Sequence, residues 1–243
     1  MSASVELYPR AAILTAWINA WAVGRVDGLI ECPGVSPAAP LLAPVRQPLG
    51  QALALLIAEH GPDLHASALL PVPGDPAGLP PDARDARQAG QVVALTGGTP
   101  GRPAQLLFPA TSAPVRPTAW RAQDAHVAPA ALATDLRAAR LGIMDLLPGA
   151  VAVSDATGGR PLEQAELRDR LRRLETVPLP PGSASAAVDL ARRSAALLAI
   201  VEAAAARLDA DPGRRDALMA ELRPLAAAGR RALAAAFSHA VAD

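Results

Sequence analysis

The side chains best placed for chemistry fall in two glycine-bearing loops, Pro73-Gly74-Asp75-Pro76 and Thr96-Gly97-Gly98-Thr99, each closing a short apolar run. Asp75 offers a carboxylate and Thr96 a hydroxyl, while Gly97 and Gly98 offer backbone that a small ligand can approach closely. If the runs ending at Val72 and Leu95 are parallel neighbours, both loops open on the carboxyl edge of one sheet, where open α/β sheets take their ligands. Asp75, Thr96, Gly97 and Gly98 are therefore the candidate ligand-binding set, and Asp75→Asn is expected to weaken a ligand held there. Aspartate and glycine are also ordinary turn residues, so the competing reading is a pair of plain turns.

Other chemistries lack their residues. The glycine run continues into Pro100-Gly101-Arg102-Pro103, which cannot open a regular helix, so it is not a dinucleotide fingerprint. His60 and His65 stand five apart near Glu59 and Asp63, but Gly61-Pro62 breaks any helix between them, and no metal site is expected. His60, near a helix C-terminus, suits the helix dipole instead. No G-x-S-x-G elbow occurs, and Cys32 in Glu31-Cys32-Pro33-Gly34 follows no pattern of a cysteine nucleophile; its acidic neighbour disfavours a thiolate. All 23 basic residues are arginine. Without lysine there is no Walker-type phosphate loop, no Schiff base and no protein-kinase strand lysine, so no cofactor is expected.

The cluster Arg168, Arg170, Arg172 and Arg173 resembles an anion site, yet Glu166 and Asp169 precede Arg170 and Arg173 by four residues, the favourable order on a helix surface. Asp189 stands likewise before Arg192 and Arg193, and Asp211 before Arg214 and Arg215. A solvated, ion-paired surface is the expectation.

Composition bounds the partners. The chain has 243 residues, enough for a full core, and 51% are hydrophobic with only 2% aromatic. Alanine makes up about a quarter of the chain, so the core is built from Ala, Leu, Val and Ile. Ala, Arg, Pro and Gly share GC-rich codons, and genome composition accounts for the bias. Net charge is zero, with 8 Arg against 9 acids in residues 1–129 and 15 against 14 in residues 130–243, so no nucleic-acid partner is expected. One cysteine permits no internal disulfide and fits a reducing compartment. The apolar run Ala11 to Val23 has a flank with one Arg offset by Glu6, unlike a secretory signal. No run reaches the eighteen or so apolar residues of a membrane span. These features describe a soluble cytoplasmic protein without a membrane partner.

The elements that must position the candidate residues divide by proline: 18 of 25 fall in residues 1–129. That half is expected to hold short elements: a helix with Leu14, Trp17, Ile18 and Trp21 on one face, stopped by Gly24, then an irregular Pro33–Pro48 segment and a helix from Leu49 to His60. Strands over Ala66–Val72 and Gln91–Leu95 flank a two-turn helix over Pro81–Ala89, a unit that runs parallel with a right-handed crossover. Ala104–Phe108 and Val115–Trp120 are further strands able to pair as a hairpin, which makes the sheet mixed. After Pro129 helices dominate: Ala130–Leu147, a short strand at Ala150–Val153, and a helix from Pro161 to about Thr176. Two long helices follow, with Leu190, Ser194, Leu197, Val201, Ala204 and Leu208 as the seam of an antiparallel hairpin and Leu218, Leu222 and Leu225 continuing the pattern beyond Asp211-Pro212.

The fold class is thus α+β, a small mixed sheet with flanking helices in residues 1–129 and a mainly helical region in 130–243 packed on it. The expected function is a non-catalytic interaction or scaffold protein with an unknown protein partner. The alternative is a small-molecule-binding protein or enzyme using the sheet-edge loops. Apolar residues off the seam, including Leu198 and Ile200, need cover from the sheet, from the helix at Pro161 or from a second copy, so a homo-oligomer, in the simplest case a two-fold dimer, is one expectation. Because residues 130–243 hold few bulky core side chains, that fragment expressed alone is expected to be helical but loosely packed, with a broad melt by circular dichroism. A sharp cooperative melt would make it an independent domain.

Overall fold

Every residue of the first helix from Arg10 through Ala20 is buried, and that sets the architecture. The computed structural model describes residues 7–42, 46–97, 102–110, 119–133, 135–144, 161–208 and 212–241. In chain order the elements are α1 (Arg10–Ala22), β1 (Pro40–Leu42), β2 (Gln47–Pro48), α2 (Leu49–His60), β3 (His65–Leu69), α3 (Arg84–Ala89), β4 (Val92–Thr96), β5 (Ala104–Pro109), β6 (Trp120–Ala125) and α4 (Pro129–Leu132). A helical stretch at 136–144, α5, precedes α6 (Pro161–Arg173), α7 (Ser185–Leu208) and α8 (Pro212–Ser238). The expected single apolar face of α1 is in fact an all-round one: Ala11, Ala12, Ile13 and Ala16 are as buried as Leu14 and Ile18, whereas Trp21 is only half-buried. A helix that is apolar on every side belongs in the centre.

The six strands form one mixed sheet in the order β2-β1-β6-β5-β4-β3. β1 and β6 are parallel; every other pair is antiparallel. The expected hairpin of β5 with the next strand forms, the second strand running Trp120–Ala125; of the expected Val115–Trp120 strand, residues 115–118 lie outside the described residues. The expected parallel pairing of β3 with β4 is overturned: His65 faces Thr96 and Leu69 faces Val92, antiparallel. A parallel partner needs a connection that carries the chain back along the strand. Here the connection from Leu70 to Gln91, with the six-residue α3 inside it, stays at one end of the sheet, and the chain enters β4 at Val92, opposite the Leu69 where it left β3. The expected strand at Ala150–Val153 lies outside the described residues.

Both faces of the sheet are covered. Ala66, Ala68, Val93, Leu95, Leu107 and Trp120 join the larger core with α1, α2, α7 and α8. Leu69, Val92, Ala94, Leu106 and Phe108 join a smaller one under α3 and the start of α4. Alternate residues of β3, β4 and β5 thus go to opposite cores, whereas β6 leaves Arg121 and Asp124 exposed.

In the C-terminal region α7 and α8 pack as an antiparallel pair, closed where the Ala184 N–H ahead of α7 donates to the Ala240 carbonyl beyond α8 at 3.0 Å. The seam residues Leu190, Ser194, Leu197, Val201 and Ala204 are buried. A Cβ at Gly229 would lie 3.0 Å from the Leu198 side chain, so glycine lets the two helices come this close. α8 also packs on β3 and α1. Tyr8 ties the opposite end of the chain in, with its hydroxyl donating to the Leu174 carbonyl at 2.8 Å and its ring 5.7 Å from that of Phe237.

β3 is an edge strand, yet its outer backbone groups are not left open. Asn19 of α1 accepts the Ala66 N–H at 2.8 Å and donates through Nδ2 to the Ala66 carbonyl and to the Ser238 carbonyl, both at 2.9 Å. Ser238 of α8 accepts the Ala68 N–H at 2.9 Å and donates to the Ala234 carbonyl at 2.8 Å. Two helix side chains thus stand where a further strand would pair. Asn19→Ala is expected to lower the unfolding free energy by about 2–5 kcal/mol, because the buried Ala66 groups lose partners at roughly 1–3 kcal/mol each. Ser194→Ala removes a hydroxyl that only adds to the Leu190 carbonyl within its own helix and should cost about 1 kcal/mol or less. Urea midpoints compare the two, and equal losses would reduce Asn19 to filler.

Candidate functional site

Past Leu69 the chain turns tightly. Val72 and Asp75 exchange both backbone hydrogen bonds at 2.9 Å around Pro73 and Gly74, the latter at φ +86°. Asp75 Oδ1 then accepts the Ala77 N–H at 3.2 Å. That carboxylate holds Ala77 at φ +51°, a region that residues with a Cβ seldom occupy. Gly78, at φ +81°, follows with no room for a side chain: a Cβ would overlap that of Ala131. Its carbonyl accepts the Ala128 N–H at 3.2 Å, which seats the start of α4 on the turn.

Between this turn, the end of β3, α4 and α8 lies a cavity of about 350 Å³. Ala68, Leu69, Leu70, Ala131 and Ala234 make most of its wall, and Asp75, Arg230 and Arg231 supply its charges. The Arg230 side chain is 20% exposed, with Nη2 3.8 Å from Asp75 Oδ2, beyond hydrogen-bonding distance. Its Nε is buried without a hydrogen-bond partner. Burial pulls the Arg230 pKa below its ordinary value, Asp75 opposes that, and Arg231 adds to it. An arginine nevertheless stays charged.

Of the four residues expected to form one site, the antiparallel pairing separates Asp75 from Thr96 and Gly97. Asp75 is at the cavity, beyond the end of β3. Thr96 and Gly97 are at the opposite end of the sheet, where the Thr96 hydroxyl donates to the His65 carbonyl at 3.3 Å. Gly97 packs so closely on the His60 ring that a Cβ would fall 2.9 Å from it. Gly98 lies outside the described residues.

Arg230 and Arg231 escaped the sequence reading, although a signal existed. They sit in Ala226-Ala227-Ala228-Gly229-Arg230-Arg231-Ala232-Leu233, with no acid three or four residues away on either side. Four other helical arginines do find acids at the surface. Arg192 and Arg193 share Asp189 at 2.7 and 2.9 Å, and Arg172 pairs with Asp169. Arg170 reaches across to Glu202 of α7 at 2.6 Å rather than to Glu166 of its own helix.

The remaining candidates are accounted for by packing. Cys32 is buried, and burial pushes its thiol up against the opposing influence of Arg10, so burial rather than Glu31 keeps it protonated. Among the described residues no three His, Cys, Asp or Glu side chains gather as a metal-ligating group, and no helix is long and apolar enough to cross a membrane. Compared with protein-family models, with curated proteins and with solved structures, the chain matches none.

The His65 ring lies 6.2 Å from that of His239, and burial first, then His239, lowers its pKa from the usual 6.5. The unfolded chain therefore binds a proton that folded His65 resists. The resulting stability is present above about pH 6.5 and is lost as pH falls through the depressed value. Urea midpoints are expected to be flat above that pH and to decline below it, with His65→Gln flattening the decline. An unchanged slope in that variant would assign the effect elsewhere.

Proposed function

We propose that the protein binds a small molecule in the cavity between β3, the Val72–Gly78 turn, α4 and α8. The observation that carries this is the form of the cavity: an apolar wall with its charged side chains drawn from one turn and one helix, Asp75 on the first and Arg230 and Arg231 on the second. Ligand sites are typically apolar hollows with a few convergent polar groups, and about 350 Å³ falls at the small end of their range. The strained Ala77 supports the reading, since an unfavourable backbone persists where the surroundings enforce it.

Binding fits better than catalysis because the lining holds no Ser, Cys or His, and its one carboxylate, Asp75, is tied into the turn by the Ala77 N–H beside a cationic arginine. It also fits better than a scaffold built on the helical hairpin. The buried seam of α7 and α8 is occupied within the molecule, and Leu198 packs against Gly229.

The test is thermal stability across a metabolite panel, for the wild type and for Ala130→Trp. Ala130 is an exposed rim residue, and a large ring there should plug the opening without loading the core. One ligand class is expected to stabilise the wild type by about 2.7 kcal/mol at a hundredfold excess over its Kd. The plugged variant should respond far less. An equal response in both would place the binding outside this cavity.

A further inference from the structure

The geometry points to a specific ligand class, which rests on the binding reading above: we infer that the cavity takes a small monocarboxylate with a short apolar tail, its carboxylate held by the Arg230 guanidinium. The wall is short of acceptors. A guanidinium carries five donors and accepts nothing. Arg230 Nε is enclosed by protein, so a ligand meets the Nη atoms, and the acid beside them stands 3.8 Å off, beyond hydrogen-bonding distance. Asp75 is held in place through Oδ1, which accepts the Ala77 N–H, so Oδ2 stays at that distance. What the wall lacks, the ligand must supply, and a planar carboxylate matches the guanidinium fork with two parallel hydrogen bonds.

Charge sets the number. Two arginines against one aspartate leave the cavity one positive charge in excess, which a single negative charge balances. Burial makes that balance matter, because an uncompensated charge in an apolar wall is costly. A phosphate, with close to two charges, would overshoot and would bring oxygens for which the alanine and leucine wall has no donors. The remainder of the ligand meets Ala68, Leu69, Leu70, Ala131 and Ala234, so it has to be apolar. Asp75 then competes with the ligand for Arg230. Its effect on binding is the reverse of that expected from the sequence, where Asp75 was to hold the ligand itself.

The experiment is calorimetric titration of the full chain with hexanoate, hexanol, norleucine and inorganic phosphate. Variants are Arg230→Gln, Arg230→Lys and Asp75→Asn, with their folding checked by thermal melts. Hexanoate is expected to bind best. Arg230→Gln should weaken it at least about tenfold, and Arg230→Lys should recover part of the loss. Asp75→Asn should tighten it, an outcome that damage to the fold cannot mimic and that stands even if Arg230→Gln fails to fold. Norleucine bound more tightly than hexanoate, with Asp75→Asn weakening it, would overturn the monocarboxylate in favour of a zwitterion and leave the cavity as the site. Hexanol bound as well as hexanoate, or phosphate bound better, would overturn the carboxylate class in the same way. If no probe binds and Ala130→Trp alters no response across the metabolite panel, the binding reading fails, and this inference with it.

Discussion

The side-chain amide of Asn19 is the interaction on which the rest of the structure leans. An edge strand offers a row of unpaired N–H and carbonyl groups that must find partners or water. An amide has one acceptor oxygen and two donor hydrogens, so it can do what a residue of a neighbouring strand does and keep one donor over. Asn19 spends the pair on Ala66 and the spare donor on the Ser238 carbonyl, and Ser238 extends the ladder to Ala68. Three elements far apart in the chain are thereby held in one register. The same bonds shut the edge of β3 against pairing with another chain.

That arrangement requires helices to approach a strand within side-chain hydrogen-bonding reach, and the alanine content makes it geometrically available. Ala16 and Ala20 on α1, Ala66 and Ala68 on β3, and Ala234 and Ala235 on α8 are all buried. Small side chains bring the backbones close and leave the larger ones, such as Trp17, Trp120 and Phe237, to fill the remaining space. A core with few aromatics is therefore held by proximity of backbones and a few buried polar bonds more than by bulk.

The lock also positions the cavity. Ser238, at the strand, and Arg230, at the cavity, lie on one helix, eight residues and about 12 Å apart. With α8 pinned at Ser238, Arg230 is carried to the end of β3, where the turn presents Asp75. The seat of α4 on Gly78 closes the remaining side. An arginine that would otherwise extend into water is left with a buried, unpartnered Nε. This is what distinguishes it from Arg170, Arg172, Arg192 and Arg193, whose acids sit with them at the surface.

Much of the element list was legible because it rests on local chemistry. Gly61-Pro62 stops α2 at His60, Pro212 opens α8, and the three- and four-residue spacing of Leu190, Ser194, Leu197 and Val201 marks a packing seam, all within a few residues of chain. Chain composition alone excluded every lysine-dependent chemistry. The fold class was legible for the same reason, since proline-rich and proline-poor stretches permit different elements wherever they end up. The direction of β4 against β3, the enclosure of α1 on all sides and the approach of Arg230 to Asp75 were decided only in three dimensions. Alanine reads alike whether buried or exposed, and a strand carries no local mark of its neighbour's direction. The bonds that fix α1 against β3 and α8 join residues 47 and 219 positions apart, Asn19 to Ala66 and Asn19 to Ser238, and no window along the sequence contains them.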